Sequence, residues 1–162
     1  MPTLHDAPAL AGFATAALGL GWAALSDVTR YEIPNRACGL VAAGFAVAAL
    51  GAPLAWWGPG LATGLAVFGF GVLLFSRGLL GGGDVKLAAA VALWAGPGRF
   101  TDFAAATALT GVALALVMLS PLRRRLPAPP QAVAHDFRQP MPFGAPLAAG
   151  GLWAALLQLP IH

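Results

Sequence analysis

Long apolar runs dominate this sequence, and very few charged residues interrupt them. A water-soluble domain has about 25% charged residues. In this chain 9% of the residues are charged and 59% are hydrophobic, and the runs lack the polar outer face that a soluble helical bundle needs. The chain is therefore predicted to be an all-α membrane protein, a polytopic bundle of helices. It has no basic stripe with interleaved aromatic residues, which argues against a nucleic-acid partner.

Glycine, proline and charged residues divide the chain into six apolar segments. They predict helices at 8–26, 35–50, 60–76, 85–96, 102–120 and 143–159, with a polar loop at 121–142, all within a single membrane domain over 1–162. Because a hydrocarbon core of about 30 Å needs roughly 20 helical residues, the segment 85–96 is too short to cross it alone. Either the preceding glycines add non-helical length, or the protein thins the membrane and admits water there.

The basic residues are distributed unevenly between the two sides of this predicted bundle. Eight of the nine follow the first, third and fifth segments: Arg30, Arg36, Arg77, Lys86, Arg123, Arg124, Arg125 and Arg138. Arg99 falls on the other side. Since cytoplasmic loops are enriched in lysine and arginine, those loops are predicted to be cytoplasmic and both termini to lie on the opposite side. The proline-rich loop 121–142 is interpreted as a flexible segment whose arginines touch anionic membrane lipid; a dedicated role in substrate binding is the alternative.

Two of the six acidic residues lie where a carboxylate is costly. Asp27 follows the apolar part of the first segment and Asp84 precedes the fourth, so the predicted topology brings both to one membrane face. A charged side chain costs about 2.5–3.5 kcal/mol at the centre of a membrane helix and less at its edge. Either aspartate could cap a helix or pair with Arg30 or Lys86. Two of them on one face favour a functional role.

Two adjacent carboxyl groups can carry out peptide hydrolysis by themselves. Because like charges at short range cannot both ionise easily, the pair shares one proton. The ionised group can then take a proton from an attacking water, while the protonated group hydrogen-bonds to the peptide carbonyl and assists the leaving amine. This chemistry requires no metal, no cofactor and no nucleophilic serine or cysteine.

The residues on either side of Asp84 have predicted roles in the same site. The three glycines before it (Gly81, Gly82 and Gly83) are predicted to allow positive φ angles and the close approach of an extended peptide; a plain hinge is the alternative. Lys86 is predicted either to raise the positive potential beside Asp84 or to extend to the membrane interface.

Three blocks of sequence carry a resemblance to a known family. They are SDVTRYEIPN at 26–35, GGGDVKL at 81–87 and MPFGAPLAAG at 141–150. In this order they resemble motifs of the prepilin peptidases (type IV leader peptidases), and most closely those of the short enzymes found with Tad/Flp pilus systems. The resemblance also implies a set of residues that shape the active site and bind the substrate. They are Ile33, Pro34, Asn35, Gly81, Gly83, Lys86, Pro142, Phe143 and Gly144.

The resemblance implies about six membrane helices around a cleft open to the cytoplasm, in the bacterial inner membrane. The enzyme would be an aspartic endopeptidase that removes the short basic leader from type IV (Flp-type) prepilins and pseudopilins. Asp27 and Asp84 would be its catalytic residues, without permanent roles as acid and base. Larger enzymes of the family also methylate the new N-terminus, and many carry paired CxxC motifs. With Cys38 as its one cysteine, this chain is not expected to be a methyltransferase or to hold a structural zinc.

Two other classes of protein are alternatives on the residues alone. A small proton-coupled transporter would explain two membrane acids, but it would place them nearer the middle of the bilayer. It would also leave the EIPN and MPFG blocks unexplained. A structural subunit of a larger assembly would leave both acids unexplained. The peptidase is therefore the preferred interpretation.

Overall fold

The computed structural model describes residues 7–50, 52–122 and 142–157, and helices make up almost all of these ranges. The helices are α1 (Ala7–Arg30), α2 (Asn35–Ala49), α3 (Leu54–Ser76), α4 (Gly82–Leu119) and α5 (Gly144–Leu156). Within the described ranges α1, α3 and α4 are long and apolar enough to cross a membrane, while α2 and α5 are shorter apolar helices. The predicted all-α membrane bundle is confirmed at this level. Most of the polar loop predicted at 121–142 lies outside the described residues.

The helix α4 contains both the fourth and the fifth predicted segments. Its first arm (82–95) and its second arm (97–119) are helical, and Gly96 between them has φ 54° and ψ −175°. Glycine adopts a positive φ without the steric strain that a side chain would add. The prediction of about six helices therefore agrees with five described elements, the fourth of which is broken into two arms.

The two arms of α4 run side by side rather than in line. Gly150 of α5 lies against Thr107 of the second arm, and the next residue, Gly151, lies against Val91 of the first arm. In a straight helix Val91 and Thr107 would be about 24 Å apart. The chain therefore reverses direction at Gly96, and α5 packs against both arms.

Several helices are longer than predicted. The first ends at Arg30 rather than near residue 26, and α3 begins at Leu54 rather than at Gly60. The second arm of α4 likewise begins five residues before the predicted start at 102. An unpaired backbone group is costly in a membrane, and proline and glycine are tolerated in membrane helices. The apolar run of α3 accordingly stays helical through Pro59.

The two ends of the bundle differ in their basic residues. The α1–α2 and α3–α4 links lie at one end, called the site end below, where the Lys86 ammonium donates a 2.7 Å hydrogen bond to the Asn35 side chain. The reversal at Gly96 lies at the other end, called the far end, where Arg99 donates a 3.2 Å hydrogen bond to the carbonyl of Leu157. The described basic residues of the site end are Arg30, Arg36, Arg77 and Lys86. Four more arginines were predicted to lie at the same end, but they are outside the described residues: Arg123, Arg124, Arg125 and Arg138.

A pair of glycines brings α1 and α2 into backbone contact. A Cβ on Gly44 would lie 2.5 Å from the Gly12 carbonyl oxygen, and one on Gly12 would lie 2.5 Å from the Gly44 carbonyl oxygen. Small residues at such crossings let membrane helices approach closely, which strengthens their van der Waals attraction. This contact holds the far ends of α1 and α2 together, while Asp27 lies at the opposite end of α1.

We expect Gly44→Val to destabilise the protein by about 1–3 kcal/mol, since the added side chain has to force the two helices apart. Gly39→Val is the matched control, because it lies on the same helix and a Cβ there meets no atom within 4 Å. Thermal unfolding in detergent measures the difference. Equal midpoints for the two variants would show that the Gly12–Gly44 contact is not needed for stability.

Candidate active site

The carboxylate of Asp27 is held by the start of another helix. Asp27 lies in the last turn of α1 with 5% of its surface exposed. Its Oδ2 accepts a 2.6 Å hydrogen bond from the backbone N–H of Gly144, the first residue of α5, and the N–H of Ala145 also interacts with it. The first N–H groups of a helix have no partner inside that helix, and its dipole favours a negative charge there. The N-terminus of α5 therefore positions this buried carboxylate.

Asp84 lies in the first turn of α4, partly buried, at the same end of the bundle. Its carboxylate lies against Gly81, and Gly83 beside it lies against Ile33, which also packs against Gly144 next to Asp27. The two aspartates that are far apart in the sequence are thus brought together.

Ile33 lies between the elements that carry the two aspartates. Its side chain is buried, and it belongs to the short link between α1 and α2. A Cβ on Gly144 would lie 2.7 Å from Cδ1 of Ile33 and 3.0 Å from Cγ of Asp27. A Cβ on Gly83 would lie 3.0 Å from Cβ of Ile33. Glycine at both positions therefore lets the Ile33 side chain fill the space beside the aspartates.

The link that carries Ile33 has an unusual backbone. Tyr31 has φ 55°, and its N–H donates a 2.8 Å hydrogen bond to the carbonyl of Asp27. The left-handed conformation costs a residue with a side chain about 1–2 kcal/mol. Pro34 follows in an extended conformation and its carbonyl accepts the first hydrogen bond of α2. This sharp turn directs Ile33 into the bundle.

Asn35 connects the start of α2 to another helix. Pro34 occupies the cap position, and Asn35 is the first residue of the helix. Its side-chain Oδ1 accepts the hydrogen bond from Lys86, which ties the start of α2 to the start of α4. Lys86 therefore has a protein partner beside Asp84, a contact that the sequence did not indicate.

The expectation of positive φ angles in the glycines before Asp84 is wrong. Gly81 is extended, with φ −74° and ψ 145°, while Gly82 and Gly83 are already part of α4. In the described ranges the glycines with positive φ are Gly78 and Gly96. The glycines before Asp84 instead save space: a Cβ on Gly81 would lie 2.8 Å from Oδ2 of Asp84, and one on Gly83 would meet Ile33.

The PFG block acts through the start of α5. Pro142 is fully buried, and the ring of Phe143 lies 3.3 Å from the Cβ position of Gly111 on the second arm of α4. Gly144 holds Asp27. The sequence singled out these three residues, but it missed the backbone hydrogen bond from Gly144, the second N–H from Ala145 and the contact at Gly111. The sequence carried no signal for the first two of these contacts, because the donors are backbone groups.

The described part of the site suits general acid–base chemistry. Two carboxyl groups lie at one end of the bundle, one buried and one partly exposed. Such a pair can share a proton and serve alternately as acid and base. In the described ranges no group of three or more histidine, cysteine, aspartate or glutamate side chains could hold a metal ion.

Comparison with known families agrees with this geometry. The model of the type IV leader peptidase family matches residues 14–116, a stretch that contains Asp27, Ile33 and Asp84. Neither the curated proteins nor the solved structures that were compared with the chain gave a match. The family match covers more than half of the chain, so the resemblance to prepilin peptidases is confirmed. The chain belongs to the type IV leader peptidase family, whose peptidases are of the aspartic type.

Proposed function

We propose that this protein is a membrane-embedded aspartic endopeptidase that removes the short basic leader from Flp-type prepilins and pseudopilins. Cleavage would take place at the cytoplasmic face of the bacterial inner membrane and prepare the substrate for pilus assembly or secretion. The observation that carries the proposal is the pair Asp27 and Asp84, which lie at the same end of an apolar bundle, with the Ile33 side chain packed against both Gly144 beside Asp27 and Gly83 beside Asp84.

The proposed reaction uses the two carboxyl groups as a coupled pair. The ionised carboxylate takes a proton from water as the water oxygen attacks the carbonyl carbon of the scissile bond. The protonated carboxyl hydrogen-bonds to the carbonyl oxygen and then gives its proton to the leaving amine. Because the two titrations are coupled, the roles belong to the pair rather than to Asp27 or Asp84 singly.

The proposed orientation rests on the basic residues. Arg30, Arg36, Arg77 and Lys86 belong to the site end, while Arg99 belongs to the far end. Because lysine and arginine are enriched in cytoplasmic loops, the site end would face the cytoplasm. Both termini would then lie on the opposite side. A leader that is rich in basic residues would stay in the water at the site end, and the apolar stem of the substrate would enter the membrane beside the aspartates.

The test is cleavage by the purified protein in lipid vesicles. We expect the wild type to shorten an Flp-type prepilin and to leave a single new N-terminus at the junction of leader and stem, as read by mass spectrometry. The double variant Asp27→Asn/Asp84→Asn, at the same amount in the vesicles, should leave the precursor intact. A precursor that the wild type leaves uncut, or that the double variant still cuts, contradicts the proposed function.

A further inference from the structure

A groove lies between α2 and α3 on the outer surface of the bundle. Its floor is the first arm of α4, its volume is about 550 Å³, and the exposed side chains of Leu61 and Phe68 form part of its rim. Along the groove α2 and α3 each pack on this arm, where Gly64 of α3 lies against the side chain of Leu93. The two helices therefore stand apart and leave a space between them, which we call the α2–α3 groove.

The α2–α3 groove is separate from the candidate active site. Neither aspartate lines it. Its lining on α4 includes Lys86 and Leu93, which are two and nine positions after Asp84. With 3.6 residues in each turn, both lie on the face of the helix opposite Asp84. An inference about the groove therefore does not depend on the proposed function.

The polar groups of the groove lie together at the site end. The Lys86 ammonium donates a 2.7 Å hydrogen bond to the side chain of Asn35, and both residues are exposed. An ammonium has three N–H donors, so two of them are left for a ligand. Arg36, which follows Asn35, is exposed as well. Because no aspartate or glutamate of the described ranges lines the groove, its polar end favours an anion.

Beyond this polar end the α2–α3 groove is apolar, and its deep end is closed. The apolar lining includes Ala42 and Leu61. Past these residues the rings of Phe45 and Trp56 stack at 5.7 Å, and Phe45 lies 3.2 Å from the Cβ position of Gly60. These contacts join α2 to α3 and block the groove.

The depth of the groove indicates which kind of molecule fits it. From Asn35 to Phe45 the helix α2 rises about 15 Å, which is half of a hydrocarbon core of about 30 Å. The acyl chain of a phospholipid likewise runs from one membrane surface to the middle of the bilayer. A membrane helix of another protein has to continue to the opposite surface, and the contact between Phe45 and Trp56 would stop it. The groove therefore fits a lipid chain better than a helix.

We propose that the α2–α3 groove is a binding site for one anionic phospholipid from the leaflet at the site end. The lipid phosphate accepts hydrogen bonds from Lys86, and the positive charge of Arg36 adds to the attraction. One acyl chain lies between α2 and α3 and ends at Phe45. Basic pockets between membrane helices bind the headgroups of anionic lipids in this way. Because α2 and α3 stand apart along the groove, the bound lipid joins them and stabilises the protein.

The first test compares two lipids in detergent micelles, without any cleavage assay. In native mass spectrometry the wild type should retain one phosphatidylglycerol in preference to phosphatidylcholine with the same chains. Its thermal unfolding midpoint should be at least about 3 °C higher with phosphatidylglycerol, as expected for a ligand that binds the folded state. Glycerol 3-phosphate, which has the phosphate but no chain, should have neither effect. Equal retention of the two lipids, or equal stabilisation by glycerol 3-phosphate, overturns the proposal.

The headgroup contact is tested by removing one charge. Lys86→Met keeps an unbranched side chain but removes the ammonium, so phosphatidylglycerol should bind at least about tenfold more weakly. Arg77→Met is the matched control, because it removes an exposed positive charge at the same end from a residue outside the groove lining. This variant should bind the lipid as the wild type does. An equal loss in both variants would show attraction to the general surface charge and would overturn the proposal.

The position of the acyl chain is tested with two glycines. Gly39 lines the groove, and a Cβ there meets no atom within 4 Å. Gly69 on α3 is also exposed and free of such neighbours, but it is not part of the groove lining. Gly39→Phe should fill the groove and abolish the stabilisation by phosphatidylglycerol, whereas Gly69→Phe should keep it. Stabilisation of Gly39→Phe to the wild-type extent would contradict a chain between α2 and α3.

Discussion

Asp27→Asn and Asp84→Asn are each expected to slow cleavage of the precursor by about 10²- to 10⁴-fold, the usual contribution of a general acid or base. Asparagine has nearly the same shape as aspartate but neither takes up nor releases the proton that the reaction requires. At position 27 its amide oxygen can still accept the hydrogen bond that Gly144 donates to Asp27. We therefore expect both variants to insert normally into the membrane and to leave the precursor uncut. The measurement is the initial rate of precursor cleavage in vesicles at equal enzyme content.

Asp102→Asn is the matched control for this pair. Asp102 lies on α4 near the far end, has a side chain that is 40% exposed, and forms a 3.4 Å ion pair with Arg99. Exposed ion pairs contribute about 0–1 kcal/mol to stability. This variant should therefore cut at the wild-type rate. If either Asp27→Asn or Asp84→Asn cuts the precursor at the wild-type rate, the two-carboxylate mechanism is contradicted. The proton-coupled transporter would then be the better interpretation.

The sequence predicted the break in the chain after residue 96, but it did not predict that a second copy of the tripeptide found there would stay helical. The tripeptide GPG occurs twice, at 58–60 and at 96–98. The first lies inside the uninterrupted helix α3, and the second contains the reversal of α4. The same tripeptide is helical in one place and reverses the chain in the other, because its packing differs. Gly96 lies against the backbone of Gly60, so the chain turns at one tripeptide in contact with the other.

The candidate site was likewise predicted in its residues but not in its contacts. Topology alone brought Asp27 and Asp84 to one face, since each lies at the corresponding end of its helix. The sequence also singled out Ile33 and the glycines before Asp84. The predicted role of those glycines, conformational freedom of the backbone, was wrong. A glycine that turns the chain and a glycine that makes room for a neighbour look alike in sequence. Only the position of Ile33 in the folded protein distinguishes them.

Gly144→Ala is expected to lower kcat by about tenfold to a hundredfold, in line with the effect of misplacing a catalytic group by about 1 Å. The new Cβ would lie 2.7 Å from Cδ1 of Ile33 and 3.0 Å from Oδ2 of Asp27. Both are ends of side chains, so the protein can still fold, but the carboxylate has to move. KM should change little, since the new methyl group acts on the position of the Asp27 carboxylate. Rates over a range of substrate concentrations separate the two parameters.

Two further variants distinguish a displaced carboxylate from general damage to the bundle. Gly82→Ala is the control, because its Cβ would make an ordinary 3.4 Å contact with the ring of Phe75 and should leave kcat unchanged. Ile33→Val removes the Cδ1 atom that meets the new methyl group. The double variant Gly144→Ala/Ile33→Val should therefore recover part of the lost rate, as expected for residues in direct contact. If Gly144→Ala cuts as fast as Gly82→Ala, the tight placement of Asp27 against the start of α5 is not what catalysis requires.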